Sequence, residues 1–118
     1  MLRQSYQIEK NKIIFNNGRV IEFENTFRQT LVIADILIVI IEFIKNKKTN
    51  ENVYGIDLER QSIKWQIENK REDDCAFTDM IEGKNQHLYL RSWCNLILEV
   101  NPNTGEIYSK SYGESVWS

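Results

Sequence analysis

A chain of 118 residues, 42% apolar and 27% charged, is the size of one soluble domain and can bury a single core. Its net charge of −2 lacks the basic excess that draws a protein to nucleic acid or to an acidic membrane surface, so neither is expected as a partner. Two cysteines, Cys75 and Cys94, are too few for a disulfide scaffold and are expected as thiols.

In chain order, the opening MLRQSYQIEK carries no apolar stretch of the kind an export signal needs, which points to the cytoplasm. KIIF at 12–15 and RVIEFE at 19–24 flank Asn16-Asn17-Gly18, a hairpin signal because Asn and Gly accept positive φ at little cost. The run LVIADILIVIIEFI at 31–44 is 14 residues long and contains Asp35 and Glu42. A membrane helix needs about 20 apolar residues, and the run is dominated by β-branched side chains that suit a pleated sheet. It reads as a strand over 28–33, a turn at Asp35 and a central strand over 35–42.

KNKKTNEN at 45–52 is a polar loop. NVYGIDL and SIKWQIE then flank Glu59-Arg60-Gln61, HLYLRSW precedes NLILEV, and NPNTG at 101–105 turns the chain into EIYSKSY. The stretch 69–86 lacks alternation and reads as a loop with a short helical turn near Phe77–Ile81. Strands recurring every eight to twelve residues or so make an all-β domain.

Ile56-Asp57 and Val100-Asn101 lie 44 positions apart, as do Ile63 and Ile107. That spacing is the period of a propeller blade, about 40–45 residues. NVYGIDLERQSIKW and LILEVNPNTGEIY resemble the strand–turn–strand unit of quinoprotein-type β-propellers: an apolar strand ending in Asp, a Thr-Gly turn, then a strand with Trp. The first copy has Asp57 and Trp65 with Arg60-Gln61 at the turn; the second has Thr104-Gly105 with Ser109 in place of the Trp. A closed propeller takes at least about four blades, more than this chain holds. The fold class expected is therefore all-β, with antiparallel sheets forming a partial-propeller or β-sandwich-like single domain over residues 1–118. Trp65 is expected in the core.

Chemistry-bearing patterns are sparse. His87 is the one histidine, so a two-imidazole zinc site is not available. His87 with Cys75 or Cys94 is the one arrangement that could make a thiolate–imidazole nucleophile. The five glycines stand singly, without the spacing of a phosphate-binding loop, and Asp73, Asp74 and Asp79 lack the rest of a helical calcium loop. No catalytic residue, metal or cofactor is expected.

Charge is distributed unevenly. Residues 1–50 hold eight basic and five acidic side chains, +3; residues 51–118 hold seven and twelve, −5. Glu72, Asp73, Asp74, Asp79 and Glu82 fall within eleven residues that contain no basic side chain. A solvated loop is the plain explanation. A docking surface is the sharper one, with Glu72, Asp73, Asp74, Asp79 and Glu82 steering a cationic protein and Phe77 and Met80, with Ile81, anchoring it.

A small, acidic, all-β chain of this kind is similar to the immunity proteins of bacterial polymorphic toxin and contact-dependent growth inhibition systems. The resemblance implies a monomer or weak oligomer that binds a cognate toxin, typically a basic nuclease domain, and occludes its active site. The alternative is a structural or adaptor β-module that oligomerises or adds strands to a partner's sheet.

Overall fold

The computed structural model describes residues 6–42, 51–68 and 75–113. Among these residues eleven strands follow in order: β1 (Tyr6–Glu9), β2 (Lys12–Phe15), β3 (Val20–Glu22), β4 (Phe27–Ile33), β5 (Ile36–Ile41), β6 (Val53–Asp57), β7 (Ser62–Gln66), β8 (Phe77–Glu82), β9 (Leu88–Ser92), β10 (Leu96–Val100) and β11 (Ile107–Tyr112). They form three antiparallel sheets in which each strand pairs with its neighbour in sequence: β1–β3, β4–β7 and β8–β11. No barrel closes.

The middle sheet has a core on each face because β5 alternates between two apolar sets. Ile36, Ile38 and Ile40 pack with Trp65, Phe77, Met80, Leu88, Leu90 and Leu98 between the second and third sheets. Leu37, Val39 and Ile41 pack with Ile13, Phe15, Phe23 and Ile56 between the second and first. A strand buried at every position is the physical reason the 31–44 run looks like a membrane segment. Among the described residues, no helix is long and apolar enough to cross a membrane.

The expected hairpins are present. Gly18, at φ +92°, donates its N–H to Phe15 O at 2.9 Å and closes the β2–β3 turn. Ala34, at φ +54°, and Asp35 join β4 to β5. The loop expected over 45–52 lies outside the described residues except for Glu51 and Asn52.

The turns at 57–61 and 101–105, 44 positions apart, are alike. Asp57 Oδ1 accepts the N–H groups of Glu59 and Arg60 at 3.0 Å, and Asp57 O accepts from Gln61 at 2.7 Å. Asn101 Oδ1 accepts from Asn103 at 2.8 Å, and Asn101 O accepts from Gly105 at 2.8 Å. Gln61 and Gly105, 44 positions apart, both take positive φ. The β6–β7 and β10–β11 turns are thus built the same way, by a side-chain Oδ1 that mimics a backbone acceptor.

Two expectations need correction here. Residues 77–82 are strand β8, not a loop with a helical turn. A bulge between Phe77 and Asp79 sets Phe77 and Met80, three residues apart, on the same inward face, which imitates helical spacing. Cys75 and Cys94 are joined in a disulfide, their Cα atoms 5.9 Å apart, because pairing of β8 with β9 brings the residues just outside that hairpin together. Strand β1 pairs with β2 through a turn at Lys10 (φ +50°), a turn without the glycine that would mark it in the sequence.

Candidate functional site

The side of β8–β11 that faces away from the core is the part of the molecule where polar and aromatic side chains collect. In β9, Leu88, Leu90 and Ser92 point inward and are buried, so Tyr89 and Arg91 point out. Register then lays down two cross-strand rows. One is Ile81–Tyr89–Glu99–Ser109; the other is Asp79–Arg91–Ile97–Ser111.

Each row is tied together by its own chemistry. Arg91 donates from Nη2 and Nε to Asp79 Oδ2 at 2.7 and 3.1 Å. Glu99 accepts from His87 Nδ1 and from Ser109 Oγ, the latter at 3.2 Å. The hydrogen bond from His87, with help from Ser109 and against some desolvation, holds the Glu99 carboxyl below its ordinary value. Tyr108 lies against His87 with ring centroids 4.7 Å apart. The Tyr89 ring occupies the space a Cβ on Gly83 would need, so only glycine fits there.

At the end of this face the chain turns from β9 to β10 through Trp93, Cys94 and Asn95. Ser92 Oγ accepts the N–H groups of Cys94 and Leu96, both at 3.2 Å, and Asn95 N–H donates to Ser92 O at 3.0 Å. Trp93 N–H donates to Ala76 O at 3.1 Å, and the disulfide ties Cys94 to Cys75. The turn is held by these bonds, yet Trp93 is 65% exposed.

A concavity lies between β7 and β11, where the second and third sheets diverge. This open cleft of about 760 Å³ is lined by Trp65, Gln66, Leu98, Gly105, Glu106 and Lys110, among others.

The residues singled out in the sequence separate. Glu72, Asp73 and Asp74 lie outside the described residues. Phe77 and Met80 are 1% and 2% exposed and fill the core, so neither offers a surface anchor. Ile81 and Asp79 are on the outer face, Asp79 paired with Arg91, and Glu82 is exposed at the end of β8. The thiolate–imidazole arrangement is also corrected, since both sulfurs are in the disulfide and His87 meets Glu99 and Tyr108. Nor do Ser109, Glu99 and His87 form a serine-nucleophile relay, because the carboxylate stands between the hydroxyl and the imidazole. Trp93 was missed as a surface residue; its signal was the alternation of HLYLRSW, which carries position 93 outward.

A family model described as a domain of unknown function (DUF7957) matches residues 3–112. No curated protein matches the sequence.

Proposed function

The chain belongs to the DUF7957 family, and we propose that it is a non-catalytic protein-binding domain that holds its partner on the outer face of β8–β11, with Trp93 as the apolar anchor. The exposure of Trp93 carries this reading. The turn is built by Ser92, by backbone bonds and by the disulfide, none of which needs an indole. A tryptophan left in water forgoes roughly 2 kcal/mol of burial. Buried anchors at interfaces are enriched in Trp and Tyr, and a turn already rigid loses little entropy on binding.

Charge suggests the kind of partner. Residues 51–118 carry −5, of which residues 77–112, the sheet and its turns, account for −1 with four acidic and three basic side chains. A negative C-terminal half favours encounter with a basic protein and speeds its capture. The immunity proteins of polymorphic toxin systems match this description, and a cationic nuclease domain neutralised by occlusion of its substrate cleft is the partner that fits best.

The test pairs the chain with a panel of cationic toxin nuclease domains, including any encoded beside it. Wild type is expected to bind and inhibit one of them, and Trp93→Ala to lose about 30-fold or more in affinity with its thermal midpoint unchanged. Full protection by Trp93→Ala removes the anchor; no binding across the panel removes the toxin reading.

A further inference from the structure

The Trp93 turn stands just past the end of the β8–β9 ladder. The last pair of that ladder is Phe77 with Ser92, next to the bulge between Phe77 and Asp79. Up to this pair, side-chain amides close the other edge of β8. Gln29 Nε2 donates to Met80 O at 2.8 Å while Gln29 Oε1 accepts from Met80 N–H at 2.9 Å. Asn52 does the same for Phe77, donating from Nδ2 to its carbonyl at 3.0 Å and accepting its N–H at 2.9 Å. Beyond the pair, two bonds join residues 75–76 to residues 93–94 among the described residues. One is Trp93 N–H to Ala76 O at 3.1 Å; the other is the Cys75–Cys94 disulfide.

The two cysteines differ in burial. Cys75 is 5% exposed, whereas Cys94 is half-buried in the turn beside exposed Trp93. A thiolate arriving from solvent therefore meets Cys94 first. Ser92 decides what survives when the bond opens. Its Oγ accepts the N–H groups of Cys94 and Leu96 whether or not the sulfurs are joined. The turn keeps its own shape and loses its place against Ala76.

We infer that the Cys75–Cys94 disulfide is a redox-controlled clamp on the Trp93 turn. Oxidised, it fixes the turn against the start of β8; reduced, it frees the turn while the sheets stay folded. The reductant is a dithiol. One of its thiolates attacks Cys94 Sγ, the bond to Cys75 breaks, and Cys75 leaves as a thiolate that takes up a proton. The second thiol of the reductant loses its proton and attacks the mixed disulfide, and Cys94 leaves and is protonated in turn. The protein gains two electrons and two protons, and the dithiol becomes a disulfide. The ends of a ladder open at far lower free energy than its middle, so the lost tie is felt at the turn first. The consequence for docking rests on the partner-binding reading of Trp93: an anchor that must be ordered again on binding holds its partner less tightly.

Backbone order parameters of the free chain, measured before and after dithiothreitol and beside C75S/C94S without reductant, test this. In the oxidised chain positions 93 and 94 are expected near about 0.85, the value of rigid backbone. In the reduced chain and in C75S/C94S they should fall below about 0.6, with Leu90 and Leu98 unchanged and circular dichroism retained. A bond that dithiothreitol opens only in urea, a reduced chain that unfolds outright, or a turn as rigid without the disulfide as with it overturns the inference. A nuclease domain bound by the oxidised chain should bind the reduced chain at least about tenfold more weakly, and equal affinity overturns the switch. No binder in the panel strikes the partner reading alone, because mobility is read on the free chain and decides the clamp by itself.

Discussion

The indole Nε1 of Trp65, on β7, donates to the carbonyl oxygen of Pro102, in the β10–β11 turn, at 2.7 Å. The bond ties the second sheet to the third at their diverging side, where the cleft would otherwise widen. Its ring lies over Gly55 of its own sheet and against Gly105 of the other. One side chain thereby links the two copies of the 44-residue repeat.

Replacing Trp65 with Phe keeps most of the apolar contact but leaves the buried Pro102 carbonyl without its donor. A loss of about 1–3 kcal/mol is expected in urea unfolding at unchanged m-value. Gly105→Ala attacks the same contact from the other side, since its Cβ would lie 2.8 Å from the Trp65 ring at a φ of +77°. It should cost about as much, and a neutral result for both would show that the contact carries no stability.

Asn52 is 5% exposed and satisfies Ile41 O as well as both peptide groups of Phe77. Asn52→Ala strands all three, and a loss of about 3 kcal/mol is expected. Asn52→Asp should fare no better, because a carboxylate can accept from Phe77 N–H but cannot donate to the two carbonyls. Equal stability of Asp and Asn at position 52 would contradict the edge-closing role.

The disulfide spans a sequence separation of 19. Loop-closure entropy gives it about 3 kcal/mol, so reduction should lower the thermal midpoint by roughly 10 °C or more. A thiol titration of the unfolded, unreduced protein is the direct check. No free thiol is expected; two per chain would show that the bond does not form.

Glu99 contributes a pH-dependent term. Its folded pKa lies below the ordinary 4.5, so the unfolded chain takes up the proton first as pH falls. The stabilisation is therefore present in full above the unfolded value and is lost as pH drops through the folded one. Glu99→Gln should be less stable than wild type near neutrality, and the two should converge as pH falls from the unfolded value through the folded one. A constant gap across that range would mean that the carboxylate charge is not what His87 and Ser109 hold.

Local patterns in the chain were enough to establish the all-β class, most strand positions, the inward place of Trp65 and the matched turns at 57–61 and 101–105. Each of these follows from neighbours in sequence: alternation, β-branched runs, Asn and Gly at turns, and a repeat spacing. What local pattern could not supply depended on pairing between distant segments. The bulge in β8 gave Phe77 and Met80 a helical spacing, and only the ladder with β9 shows that both point into the core. Cys75 and Cys94 became a disulfide because two strands run side by side, a fact no spacing rule contains. Whether Trp93 faces water and which edge Gln29 and Asn52 close are likewise matters of what other sheets cover, since burial belongs to surfaces that meet across the fold.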